Sequence, residues 1–171
     1  MEINFEKLTK EDYINFREDI KNIFSIAVIE EFGARDNGEV IPNEDIDEPL
    51  YNENSQSFYI YVDNKKVGGV VLNIDTKTNH NSLDLLYIYP ECHSKGLGYN
   101  VWKKIEEKYP ETEVWETITP YFEKRNINFY VNKCGFHIVE FFNKHHKDKM
   151  AKKDDVEFKD EYFRFEKNMK K

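Results

Sequence analysis

The sequence predicts a single mixed α/β domain in which short strands alternate with amphipathic helices. Three observations predict it. The chain has 171 residues, the usual size of one domain and enough to bury a core. Aromatic residues make up 15% of it, with 13 Phe, 11 Tyr and 2 Trp, whereas disordered chains are poor in aromatics. The apolar spacing switches between a period of two and one of 3.6, in the order β-α-β-β-β-α-β-α-β-β.

Residues 3–8 alternate apolar and polar side chains and read as a strand. Thr9-Lys10-Glu11-Asp12 then resembles a capping box, opening a helix whose apolar positions are Tyr13, Phe16, Ile20, Ile23 and Ala27. That helix runs to about Phe32 and stops at Gly33. Residues 34–56 carry Asp36, Glu39, Glu44, Asp45, Asp47, Glu48 and Glu53 against one base, Arg35. With Gly38, Pro42 and Pro49, they are expected to form a long acidic loop with at most a short helical turn. Residues 58–62 and 67–74 are β-branched and aromatic and form a hairpin around 63–66. A strand follows at 83–89 and a helix at 96–108, with Val101, Trp102, Ile105 and Tyr109 on one face. Residues 114–118 are a strand, and 120–133 a helix with Pro120 in its first turn. Strands at 136–142 and about 161–168 complete the order, and the last offers an edge for homodimer pairing.

Composition excludes several function classes. Charged residues are 34% of the chain and mean hydropathy is −0.80. No apolar run approaches the ~18 residues that cross a bilayer. The start, MEINFEKLTKED, lacks the basic and apolar regions of a secretory signal, so the cytoplasm is the expected location. A net charge of −8 repels nucleic-acid phosphates, and it suits a cationic small molecule as well as it suits plain solubility. Cys92 and Cys134 form no CxxC pair and read as free thiols. His80 is expected in a turn. His145-His146 lies among lysines, in a run from Lys144 to Lys153 that reads as a solvated loop. No residues have metal-ligand spacing, so no metal is expected.

The chemistry concentrates in residues 85–98. An apolar strand ends at Pro90, a short loop follows, and Gly96-Leu97-Gly98 opens a helix. Glycines let a ligand approach the backbone. The first amides of a helix lack intrahelical acceptors and, with the helix dipole, suit a pyrophosphate. A tight strand-to-helix turn explains the glycines without a ligand as well. Neither a Walker-A loop nor the third glycine of a dinucleotide fingerprint is present, since position 101 is Val.

Ile88-Tyr89-Pro90 followed by His93-Ser94-Lys95-Gly96-Leu97-Gly98 resembles motif A of the GNAT N-acetyltransferases, V-x-P then [QR]-x-x-G-x-[GA]. His93 departs from the Gln or Arg of that pattern. Lys133-Cys134-Gly135-Phe136 is similar to the K-x-G-F that closes motif B. The resemblance implies a mostly antiparallel central sheet, splayed beyond a bulge at the motif A strand and flanked by helices. It also implies acetyl-CoA as co-substrate. The pantetheine arm would pair with the backbone of Leu86, Tyr87 and Ile88. The pyrophosphate would lie near His93 and on amides from Ser94 through Lys95, Gly96, Leu97 and Gly98 to Tyr99. Asn126 would reach the pantetheine.

For catalysis, the resemblance points to Tyr130 as general acid, although Val131 holds the family position and Tyr130 is one helical step away. The Glu that one branch of the family uses as base falls on Ser82, which cannot serve. Asp84, two residues on and on the same strand face, and Glu116 on the neighbouring strand are the candidate bases or amine anchors. Glu30 and Glu31 are candidates for the substrate side. The resemblance thus implies transfer to a primary amine of a small molecule or peptide, with a non-catalytic acyl-CoA-binding module as the alternative.

Overall fold

The computed structural model describes residues 1–33, 41–94, 96–151 and 161–170. Seven strands and four helices follow one another in it. They are β1 (Ile3–Lys7), α1 (Tyr13–Phe32), α2 (Asn43–Tyr51), β2 (Ser55–Val62), β3 (Lys65–Asn73), β4 (His80–Ile88), α3 (Leu97–Lys108), β5 (Val114–Pro120), α4 (Lys124–Asn128), β6 (His137–Phe142) and β7 (Tyr162–Asn168). The strands form one sheet in the order β1-β2-β3-β4-β5-β7-β6. Every pairing is antiparallel except β4 with β5.

Local chemistry explains the boundaries. Asp12 accepts hydrogen bonds from both the Thr9 amide and hydroxyl, at 2.8 and 2.9 Å, closing a single 3-10 turn that feeds into α1. Gly33, at φ 78°, ends α1 with its amide on the Ile29 carbonyl. Asp63 and Asn64 both have positive φ, the two-residue turn that matches the twist of the β2–β3 hairpin.

Each face of the sheet carries its own core. On one, Phe16 and Ile20 of α1 and Ile46 and Leu50 of α2 pack on Tyr59, Val71 and Tyr87. On the other, Val101, Trp102 and Ile105 of α3 meet Trp115, Phe136, Phe165, Leu83 and Tyr130. Trp102 and Trp115 are wholly buried, with ring centroids 5.3 Å apart. Burial of a large apolar side chain contributes roughly 1.5–3 kcal/mol, so this cluster dominates the fold's stability.

The structure differs from the sequence reading in four places. Residues 43–51, expected in a loop, are a helix despite Pro49, because Ile46 and Leu50 lie one turn apart and are both buried. Pro120 ends β5 instead of opening a helix; a turn intervenes and α4 starts at Lys124. His80 opens β4 and is not in a turn. β7 is not an edge: it lies between β5 and β6, so the sheet edges are β1 and β6. Residues 34–40, Lys95 and the last part of the basic run, Lys152 and Lys153, lie outside the described residues.

β3 and β4 approach closely at Gly68. A Cβ there would lie 2.1 Å from the Tyr87 carbonyl oxygen, a backbone atom with no easy retreat. Gly68→Ala is expected to destabilise by about 2 kcal/mol, a typical cost of overpacking. Differential scanning calorimetry should show that as a Tm lowered by roughly 4–8 °C.

Candidate active site

The site begins where β4 leaves β5. Their parallel ladder covers only His80↔Val114, Asn81↔Trp115 and Ser82↔Glu116. At Leu83 the Thr117 hydroxyl takes over as donor, bonding the Leu83 carbonyl at 2.8 Å. On its other side β4 stays paired with β3 to Ile88, but the register shifts so that Leu72 faces Leu83 while Val71 faces Leu85. Asp84 is the extra residue of this bulge. Leu83 therefore belongs to the α3 side of the sheet and Leu85 and Tyr87 to the α1 side.

Beyond the parting, β4 has a free edge. The Tyr89 amide bonds the Val67 carbonyl, so alternation commits the backbone groups of Tyr87 to Gly69 as well. Those of Leu86 and Ile88 face the gap. Of the three strand residues named from the sequence, Leu86 and Ile88 turn their backbone groups to the gap and Tyr87 turns its own to β3. Its hydroxyl instead donates to Asp19 of α1 at 3.0 Å. The Ile88 carbonyl is already met by His93 Nε2 at 3.0 Å.

α3 begins at the mouth of this gap. Gly96 has φ 87°, a left-handed conformation that turns the chain into the helix. The Leu97 amide closes back on Ser94 at 3.2 Å, and the first-turn amides at Gly98 and Tyr99 follow at the positive end of the helix dipole. Gly98 has a second reason to lack a side chain: its Cβ would lie 3.2 Å from the Phe129 ring. Ser94 and Leu97 also border a shallow depression of about 420 Å³ against the β2–β3 turn.

Opposite β4 stand α4 and the π turn Phe129–Lys133 that continues it. The Cys134 amide bonds the Phe129 carbonyl five residues back, at 3.0 Å. A π turn holds one residue more than an α turn. That extra residue offsets the one-step displacement of Tyr130 from the family position, so Tyr130 faces inward, only 7% exposed. It packs on Phe129, Phe136 and Phe165. Burial pushes its phenol well above the ordinary range, and the nearby Thr117 side chain opposes that rise. Asn126, half-buried on α4, is one turn before Tyr130.

The α1 side of the parting is acidic. Burial raises the Asp84 carboxyl to about 6, a Ser82 hydroxyl donating at 2.6 Å opposes the rise, and the charge of Glu116 adds to it. Glu116 has a different setting. Arg164 of β7 bonds it at 3.1 Å, and the same guanidinium holds Glu166 at 2.5 Å and Glu140 at 3.1 Å. His80, Glu116 and Glu166 bring ligand atoms within 4.8 Å of one another, with Arg164 on both carboxylates. His146 pairs with Glu140 at 2.8 Å. The α2 carboxylate Asp47 is bound by Arg17 at 2.6 Å and does not face a ligand unpaired. Glu30 and Glu31 lie near Glu123, whose carboxyl is raised chiefly by burial. The structure thus separates the two candidate bases: Asp84 keeps a raised pKa, and Glu116 is tied to a cation.

Thr117 and Arg125 were not singled out by sequence. Thr117 had a signal, a hydroxyl alternating with Trp115 on the buried face of β5. Arg125, which donates to His93 Nδ1 at 2.8 Å, had none beyond its place beside Asn126.

Comparison with known proteins agrees with this geometry. Residues 16–136 match the acetyltransferase (GNAT) family. The uncharacterized protein YrkN of Bacillus subtilis is 49% identical over 172 residues, covering 96% of this chain and 93% of that protein. Among solved structures, the PaiA N-acetyltransferase of Thermoplasma acidophilum in complex with coenzyme A superposes with a TM-score of 0.68 at 18% identity, covering 98% of this chain and 99% of that one. The spermidine N-acetyltransferase of Vibrio cholerae, in complex with CoA and spermine, gives 0.62 at 12% identity, covering 97% and 95%. With the parted strands, the bulge and the glycine-opened helix all in place, the chain belongs to the GNAT acetyltransferase family.

Proposed function

We propose that this protein is an N-acetyltransferase that moves an acetyl group from acetyl-CoA directly to a primary amine in a ternary complex. One observation carries the reading: the β4–β5 ladder ends after Ser82, leaving a free β4 edge on the α3 side and the raised carboxylate of Asp84 on the α1 side. A thioester lying along the open groups of Leu86 and Ile88 would meet an amine arriving from Asp84's side. The solved neighbours in complex with CoA support the donor half.

The residues divide the chemistry as follows. A primary amine with a pKa near ~10 is almost wholly protonated at pH 7, so it must lose a proton before attack. Asp84, raised towards neutrality, takes it, directly or through one water. The nitrogen lone pair adds to the thioester carbonyl, whose oxygen is met by a β4 backbone amide beside Ile88. The C–S bond then breaks, the sulfur leaves as thiolate, and the second amine proton passes from the nitrogen to that thiolate or to water, leaving a neutral amide. Tyr130 holds its proton too tightly to give it up wholly, so it donates a hydrogen bond to the departing sulfur instead.

The acceptor side favours a cationic amine. Asp84, Glu116, Glu140 and Glu166 share this face with the guanidinium of Arg164. A small polyamine or a lysine-bearing peptide fits that charge. We place the reaction in the cytoplasm, as the sequence suggests. Thiol release from acetyl-CoA across a panel of primary amines tests the reading; CoA binding with no turnover on any acceptor would favour the non-catalytic module.

Two variants probe the assigned roles. Asp84→Asn should lower kcat/KM on the order of 10²-fold and remove an acidic limb near pH 6 from the pH profile. The same change should raise Tm at pH 8. With its folded pKa above the unfolded value, Asp84 costs nothing below about 4. It costs stability progressively up to about 6, and fully above that. Tyr130→Phe should reduce kcat roughly 10- to 100-fold, the worth of one hydrogen bond to a charged group, with KM for acetyl-CoA little changed.

A further inference from the structure

We propose that Arg125 is a phosphate-binding residue of the acyl-CoA cleft, and that His93 holds it in reserve by occupying the Ile88 carbonyl until a pantetheine amide displaces it. The proposal rests on the acyl-CoA reading above and adds to it a residue on the wall opposite the glycine loop.

Hydrogen-bond chemistry fixes the state of the bridge. Arg125 Nη2 lies 2.8 Å from His93 Nδ1, and Nε2 of the same ring lies 3.0 Å from the Ile88 oxygen. A guanidinium only donates, so Nδ1 accepts. A carbonyl only accepts, so Nε2 carries the ring proton. His93 is therefore neutral and spans the gap from α4 to the free edge of β4.

That edge is where an extra strand-like ligand would pair. A ligand amide that takes the Ile88 carbonyl competes with His93 for it. Once the ring is displaced, Arg125 loses its acceptor. Its position determines where the freed charge goes. Arg125 is four residues before Phe129 and so shares its helical stripe. Phe129 packs on Gly98, in the first turn of α3. A guanidinium on that stripe is directed at the helix end whose amides suit a pyrophosphate. In motif A the loop position that is Gln or Arg in the family is His93 here; the basic group is supplied across the cleft.

Calorimetry with CoA, and with pantetheine (which lacks the nucleotide and its phosphates), tests this on the wild type, Arg125→Gln and His93→Ala. Arg125→Gln should weaken CoA about 10-fold, as expected for a lost charge-assisted hydrogen bond, and leave pantetheine unweakened. His93→Ala should leave pantetheine as tight or tighter, because its acceptor is no longer occupied. Unchanged CoA affinity in Arg125→Gln, or equal losses for CoA and pantetheine, would overturn the phosphate role. Weaker pantetheine binding in His93→Ala would overturn the reserve role. Absence of CoA binding in the wild type would instead sink the acyl-CoA reading itself, and this proposal with it.

Discussion

Thr117 donating to the Leu83 carbonyl marks the point on which both halves of the site depend. Up to Ser82, β5 satisfies β4 by an ordinary parallel ladder. At Leu83 a side chain replaces the backbone donor, and past it β5 supplies nothing. An open strand edge inside a fold is costly, because each buried backbone group left without a partner loses about 1–3 kcal/mol. The chain meets that cost in two ways. The Thr117 hydroxyl closes the apex of the gap, and His93 covers the Ile88 carbonyl at its mouth. The groups between remain available to a molecule that can pair like a strand.

The bulge at Asp84 uses the same parting on the opposite face. One extra residue in β4 keeps Leu83 on the α3 side and turns Leu85 and Tyr87 to the α1 side. It also leaves a carboxylate at the fork, where burial raises it. Around it, Glu116, Glu140 and Glu166 all converge on Arg164. Of these, Glu140 has its carboxyl lowered by hydrogen bonds from His146 and Arg164. Asp84 stands outside that network and accepts from the Ser82 hydroxyl. The division between a guanidinium-paired network and a buried carboxyl with a raised pKa follows from which carboxylates Arg164 reaches.

Much of this was legible in the sequence. Alternation and capping placed β1, α1, the β2–β3 hairpin and α3 within a few residues, and the Pro90 and Gly96-Leu97-Gly98 pattern placed the turn from β4 into α3. What escaped was set by tertiary packing. Pro49 argued against a helix, but burial of Ile46 and Leu50 outweighed it. Pro120 reads as a helix start, yet its pairing with Tyr162 of β7 keeps it in the sheet as the last residue of β5. The position of β7 between β5 and β6 is a matter of topology that no local pattern encodes. Asp84 could be placed on a strand face by counting, but not distinguished from Glu116, because the distinction lies in Arg164, 80 residues away in the chain by the numbering.

Tyr130 shows how a register mismatch becomes a feature. On a regular helix its displacement by one residue would rotate it by about 100°, away from the cleft. The π turn absorbs that residue, and its cost is met by what surrounds it. Gly135, at φ 80°, ends the turn, and the Phe136 amide bonds back to the Tyr130 carbonyl at 2.9 Å. Phe136 then enters the cluster with Trp102, while Tyr130 lies against Phe165. The aromatic core thus does two jobs with the same contacts: it stabilises the domain, and it holds an irregular turn that no local preference would select. The bulge at Asp84, the π turn and the left-handed Gly96 all lie around one cleft. Where the strands part, that irregular backbone rests on the packed aromatic core beneath it.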